Sequence, residues 1–192
     1  NKNLNIFFNL TNKINNKNPL EKYPYIPVSL FKKFKLKSIN DKDIYKIITS
    51  SGTSGSVSKI YLNKENARDQ IEVLHNIGSN YLGDRRLPML ILDSDKSNED
   101  NYSFNARRAA IIGFSIFSKK NYFLFDENHN LKLDYLSEVL NKFKREEIII
   151  FGFTHLVWDF VHQLKQNKIK LNLSNCTLLH GGGWKKLEDK KI

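Results

Sequence analysis

Ile148-Ile149-Ile150-Phe151-Gly152-Phe153-Thr154-His155, continued by an amphipathic stretch to Gln166, is the passage on which the fold turns. A short run of β-branched and aromatic side chains with no polar interruption reads as a strand covered on both faces, as in a parallel sheet. From Thr154 onward the apolar positions recur at helical spacing. The same alternation extends outward in both directions. Beginning after Pro88, short apolar runs and amphipathic ones follow one another: Met89 to Leu92, Phe104 to Ile112, Tyr122 to Phe125, Leu133 to Phe143, then Ile148 to Phe151 and Thr154 to Gln166, with Cys176 to Leu179 closing the series. Strand-helix alternation at this spacing implies βαβ units with right-handed crossovers. The fold class expected is α/β, a mostly parallel sheet flanked by helices, whose ligands bind beyond the carboxyl ends of strands.

Upstream, Ile44 to Ile48 and Lys59 to Leu62 read as two strands joined by the polar turn Thr49 to Ser58. Asn63 is the expected N-cap of a helix reaching about Tyr81, with Ala67, Ile71 and Leu74 on its buried face. Before the hairpin, Tyr23 to Phe31 holds Pro24 and Pro27, which favour an extended arm packed on a body. A first helix over Leu4 to Ile14 ends before Pro19. The domain organisation expected is residues 1–42 as helix and arm, and 43–192 as a partial large domain with the hairpin at 43–62 and the βαβ region at 88–192. Asp93 to Asn101 is the best surface loop.

Composition sets the outer limits. With 192 residues, 40% of them hydrophobic and 12% aromatic, the chain can build a substantial core, which excludes wholesale disorder. The formal net charge is +11, and residues 1–60 hold 11 Lys against Glu21, Asp41 and Asp43. A basic surface gathers nucleic acid, phosphates or acidic lipids. Yet 25 Lys stand beside only 6 Arg, a bias attributable first to codon composition. Cys176 is the single cysteine, so neither an internal disulfide nor a cysteine zinc cluster can form. It reads as a small core residue, and the cytoplasm is the default location. No apolar run approaches the ~18 to 20 residues of a membrane helix. The chain opens at Asn1 without a secretory pattern, and a piece of something longer is expected.

Three stretches carry chemistry. In Thr49-Ser50-Ser51-Gly52-Thr53-Ser54-Gly55-Ser56-Val57-Ser58-Lys59, glycines let successive N–H groups converge, hydroxyls add donors and Lys59 adds charge, which together suit a polyphosphate. A plain glycine-serine hairpin is the alternative. It is not a Walker A loop, because Lys59 enters a strand. Nor is Ser56-x-x-Lys59 the serine-lysine pair of penicillin-binding enzymes, which needs a helix to align the two. In His180-Gly181-Gly182-Gly183-Trp184, three glycines expose bare backbone to a flat ligand that Trp184 could cover, or else form a flexible turn. Phe151-Gly152-Phe153-Thr154-His155 either forms the apolar wall of a substrate pocket with His155 at its edge, or is core with Thr154 as an N-cap. His155, Asp159 and His162 share a helix face but lack a fourth ligand for a metal. Arg107 and Arg108 either meet a phosphate or face solvent.

These motifs, with Tyr25-Ile26-Pro27-Val28-Ser29-Leu30-Phe31-Lys32, occur in an order that resembles the acyl-protein synthetases, the long-chain fatty acid luciferin-component ligases. That family is related to phenylacetate-CoA ligase in the adenylate-forming superfamily. The resemblance covers nearly the whole chain. It implies that the sheet is that of the large N-terminal domain of such enzymes, and that a carboxylic, fatty acid is activated by ATP to an acyl-adenylate and passed to a protein or carrier thiol. It further implies that Ser50, Ser51, Gly52, Thr53, Ser54, Gly55 and Lys59 hold the β- and γ-phosphates, that Gly181, Gly182, Gly183 and Trp184 line the adenine and acyl side, and that Phe151, Gly152, Phe153, Thr154 and His155 form the acyl pocket. Lys59 and His155 are the catalytic candidates. ATP and Mg²⁺ are the implied cofactors.

The family's adenylate- and Mg²⁺-contacting motif, its ribose-binding aspartate, its C-terminal lid and its acyl-accepting cysteine do not appear here. The expectation is therefore a portion of a longer enzyme that is inactive alone, its partners being the acid, ATP and an acyl-carrying protein. A homo-oligomer stays open. Two other readings are a basic nucleic-acid-binding module and a non-catalytic remnant in surface polysaccharide synthesis. The first finds no nucleic-acid motif, and its aromatics cluster around prolines instead of alternating along a basic face. The ligase reading needs the hydroxyl-lined bend and the glycine bend to face a common hollow.

Overall fold

A computed structural model describes residues 25–50, 57–95 and 106–184. The expected helix over Leu4 to Ile14, the loop positions Ser51 to Gly55, most of the surface loop after Asp93, and Lys185 onward lie outside the described residues. The chain divides into two compact units, Asn1–Gln70 with Ser103–Ala106, and Ile71–Tyr102 with Arg107–Ile192.

In the first unit, backbone extended as far as Pro27 gives way to a short helix α1 (Val28–Lys33), closed by the Phe34 N–H donating to the Leu30 carbonyl. The expected extended arm is corrected at this point: Pro27 fixes its own φ at −58° and leaves Val28 onward free to turn helical. Lys35 and Lys37 both pair with Asp41, which opens a 3-10 turn at Asp41–Asp43. The strands β1 (Lys46–Thr49) and β2 (Lys59–Leu62) pair antiparallel, Lys46 opposite Leu62 and Thr49 opposite Lys59. The first strand thus starts two residues later than Ile44. Asn63 caps helix α2 (Lys64–Leu82), its Oδ1 accepting the Asn66 N–H at 2.8 Å.

The second unit is built on β3 (Leu87–Ser94), β4 (Ser118–Phe125), β5 (Ile148–Phe153) and β6 (Cys176–Gly181), linked by α3 (Ala106–Phe114), α4 (Leu133–Lys142) and α5 (Thr154–Gln166). Among the described residues these strands form one parallel sheet in the order β4-β3-β5-β6. Every residue of β3 is buried, as a central strand covered on both faces requires. Alternation along the strands then divides the core. Leu90, Leu92, Tyr122, Leu124, Ile148 and Ile150 meet Leu136, Val139, Leu156 and Phe160 of α4 and α5 on one face. Met89, Ile91, Ile149 and Phe151 meet Ile111 and Phe117 on the other, with Leu74 and Leu82 of α2 packed against them.

Two expectations need correction. Ile71 is 51% exposed, because α2 approaches the sheet through Leu74, Gly78 and Leu82, and no residue of α2 is fully buried. Cys176 is only partly buried, since β6 is an edge strand; burial still pushes its thiol above the ordinary range. No described helix is long and apolar enough to cross a membrane.

Candidate functional site at the carboxyl ends of the strands

Strand order determines where a crevice opens. From β3 the chain crosses through α3 to β4 on one side; it returns through α4 to β5 on the other side, then proceeds outward to β6. The connection reverses between β3 and β5, so the gap beyond their carboxyl ends is the topological switch point, where ligands of open α/β sheets bind.

Two of the sequence-predicted motifs, Phe151 to His155 and His180 to Trp184, meet near that edge. Gly152 lets β5 lie close against β3: a Cβ there would stand 2.8 Å from the Cβ of Leu92. Phe151 is buried and its ring tilts against Phe114 of α3 at 5.0 Å. Phe153 is half-buried and touches both Phe151 and His155 ring to ring. Thr154 is not the N-cap of α5; that position belongs to Phe153, and no side chain caps the helix. The Thr154 hydroxyl instead donates to the Gly182 carbonyl at 2.7 Å, with the Gly181 carbonyl at 3.2 Å and His180 Nδ1 at 3.3 Å. A threonine at the end of β5 therefore fastens the glycine turn that ends β6.

The turn is shaped for open backbone. Gly182 has φ +83°, a conformation that L side chains rarely adopt, and a Cβ there would stand 3.0 Å from Cδ1 of Phe153. Gly181 and Gly183 have nothing within 4 Å of where a Cβ would stand. Trp184 packs edge-to-face on Trp158 of α5, centroids 5.8 Å apart, and remains 39% exposed. Strand β6 runs as far as Gly181, so His180 and Gly181 belong to the strand and only Gly182 onward to the bend.

In the first unit the hairpin stays closed up to the edge of its loop. The Ser50 N–H donates to the Ser58 carbonyl and the Ser58 N–H to Ser50 Oγ at 2.9 Å. Ser58 is buried, and among the described residues its hydroxyl has no partner; Lys59 is exposed at the start of β2. Ser51, Gly52, Thr53, Ser54 and Gly55 lie outside the described residues. No group of three or more potential metal ligands occurs among the described residues.

One pair escaped the sequence reading. Asp93, expected to open a surface loop, is instead 2% exposed and, with Ser94, belongs to the buried end of β3. Its Oδ1 accepts from the Ser94 N–H at 2.8 Å and from Nη2 of Arg107 in the first turn of α3. The signal was an acidic residue directly following Leu87 to Leu92, where a buried carboxylate demands a partner. From sequence alone Arg107 reads as a phosphate contact or a solvated cation, because nothing there ties it to Asp93.

The profile of the family described as "Acyl-protein synthetase, LuxE" matches residues 8–192. A long-chain-fatty-acid–luciferin-component ligase of Aliivibrio fischeri is 26% identical over 190 residues, spanning 92% of this chain and 47% of that protein. The ligase of the same name from Vibrio harveyi is 26% identical over 188 residues, spanning 90% of this chain and 46% of that protein. The chain thus covers about half the length of these relatives. No solved structure matches it.

Proposed function

The chain belongs to the LuxE acyl-protein synthetase family, and from that premise we propose that it is the nucleotide- and acid-binding portion of an enzyme that activates a carboxylic, fatty acid with ATP. The product is an acyl-adenylate, whose acyl group passes to a protein thiol. The observation that carries this reading is the fastening of the Gly181–Gly183 turn by Thr154 beside the switch point. Bare backbone, an aromatic neighbour and an apolar strand end form a surface for a flat base and an alkyl chain. A nucleotide fits the residues present. The backbone at Gly181 and Gly183 is sterically open, and the orphaned Ser58 hydroxyl adjoins the loop assigned to phosphates.

In this assignment Ser50, Ser51, Gly52, Thr53, Ser54, Gly55 and Lys59 hold the β- and γ-phosphates through N–H, hydroxyl and ammonium donors. Gly181, Gly182, Gly183 and Trp184 take the adenine side. Phe151, Gly152, Phe153, Thr154 and His155 border the acyl chain. ATP supplies an α-phosphorus that the acid attacks and a pyrophosphate that leaves. This chain's own residues neutralise charge, exclude water and fix orientation, which is where catalysis of phosphoryl chemistry resides.

Fatty-acid-dependent exchange of labelled pyrophosphate into ATP tests the reading, measured on a full-length family member carrying this sequence. Exchange is expected with fatty acids, with the KM for ATP rising about tenfold or more in Lys59→Ala, the loss of one charge-assisted contact. Exchange that no carboxylic acid supports would overturn it.

A further inference from the structure

We propose that Arg107, held in place by the buried Asp93, is the residue that receives the carboxylate of the acid at the switch point; the assignment rests on the acyl-activation reading above. Arg107, Ile111 and Phe114 recur along one face of α3, the face turned toward the sheet. Ile111 is buried in the core, and Phe114 lies on Phe151. Arg107 is the polar end of that stripe. Its side chain is about three-quarters buried, with a relative exposure of 26%, and still reaches solvent. Asp93 sits at the register shift of β3 between Ile91 and Ser94, and its carboxylate meets α3 through Arg107.

The pair is incompletely satisfied. Arg107 makes its one hydrogen bond among the described residues through Nη2, and a guanidinium carries five N–H donors in a planar fork. Asp93 Oδ2 is buried with no partner among the described residues. The open Asp93 oxygen carries a free-energy cost, whereas the partly exposed Arg107 side chain leaves its other donors accessible to solvent and to a ligand. The remaining N–H groups of Arg107 suit the planar, two-oxygen geometry of a carboxylate.

Local fields favour an anion despite Asp93. Its charge is offset by Arg107, and two helices of nine and thirteen residues begin at this edge, α3 after β3 and α5 after β5. The first turn of α5 has no side-chain cap, so its N–H groups and the positive end of its dipole face the carboxyl end of β5. Further along α3 from Arg107, Phe114 lies on Phe151, which in turn meets Phe153 ring to edge. A cation at one end of an apolar stripe matches a ligand with one anionic end and a hydrocarbon tail.

The test titrates the chain, followed by its tryptophan fluorescence, with decanoate and with 1-decanol, which shares the tail and lacks the charge. In Arg107→Gln the affinity for decanoate should fall about 10- to 100-fold, the loss of charge-assisted hydrogen bonds, while that for 1-decanol stays within about twofold. Asp93→Asn, which frees the guanidinium to reorient, should lower the preference for acid over alcohol with the circular dichroism spectrum unchanged, a readout that a merely structural role would not move. In the unaltered chain, decanoate should protect Arg107 from phenylglyoxal, as mapped by mass spectrometry; this arm decides the matter if the glutamine variant does not fold.

The assignment is overturned if the unaltered chain binds no decanoate, if Arg107→Gln binds decanoate as tightly as the unaltered chain, if acid and alcohol weaken together, or if Arg107 is modified equally with and without decanoate. Fatty-acid-dependent pyrophosphate exchange that survives Arg107→Gln with unchanged KM for the acid overturns this role alone and leaves the acyl-activation reading standing.

Discussion

Thr154 sits where α5 begins, with its hydroxyl hydrogen bonded to the Gly182 carbonyl. Valine at this position keeps the shape and deletes the donor. Thr154→Val is expected to cost about 1 kcal/mol and to loosen the glycine turn, seen as altered emission from Trp184, which leans on Trp158. Unchanged emission and an unchanged melting curve would show that the turn holds itself. At this scale the sequence was readable in part. Phe151, Gly152 and Phe153 were marked from their place at a strand end, and they stand there. The choice between Thr154 as a cap and Thr154 as part of a site was not readable, since it depends on which strand comes to lie beside β5. Asp93 was missed for a related reason: its partner, Arg107, lies beyond a loop, and sequence gives no measure of how that loop returns.

The elements were the most legible level. Helix α5 spans Thr154 to Gln166 as its periodicity required, and Asn63 caps α2. The regular alternation after Pro88 became the parallel sheet, although strand ends moved outward: β4 begins at Ser118 instead of Tyr122. Lys119 and Lys120 obscured that start, because an edge strand admits charged residues on its exposed positions. The contact face of α2 was misjudged, since helical spacing gives a stripe but not the rotation that tertiary packing selects. Gly78 fixes that rotation. A Cβ there would stand 2.3 Å from Cζ of the buried Phe117 ring. Gly78→Ala should therefore lower stability by about 1 to 2 kcal/mol in thermal denaturation, overpacking outweighing the ~1 kcal/mol that alanine gains in a helix; a stabilised variant would refute that packing.

The turn after β4 should respond to acid. Asp126 accepts N–H groups from Asn130 and Asn128 at 2.8 Å each, and the Asn130 contacts chiefly hold its carboxyl below the ordinary range. A depressed carboxylate contributes order that is present above its unfolded pKa and disappears as pH falls through the folded one. Amide exchange at Asn128 and Asn130 should therefore accelerate, relative to neighbouring amides, only below the usual aspartate range. Protection that persists into strong acid would contradict this.

Within the second unit the sheet separates two apolar layers, and the separation has an energetic signature. Leu136 belongs to the layer under α4 and α5, Ile111 to the layer under α3. Each truncation to alanine should cost about 2 to 5 kcal/mol. Combined, they should add to within about 0.5 kcal/mol, as for sites with no shared partners; a larger coupling in urea denaturation would mean that β3 transmits strain across the sheet. Composition and alternation had already announced an α/β protein. Which layer each helix joins could not be read, because that follows from the order in which strands pair.

That order has a consequence for the chain as it is being made. Both strands that flank β3, β4 and β5, are encoded after it. While a ribosome adds the roughly 60 residues from Leu92 to Phe153, which takes about 3 to 12 s at ordinary elongation rates, the wholly buried central strand has emerged without its full set of neighbours. Such a nascent strand is a natural client for chaperones that shield newly made polypeptide, and slow codons between β4 and β5 would lengthen the interval during which it needs them.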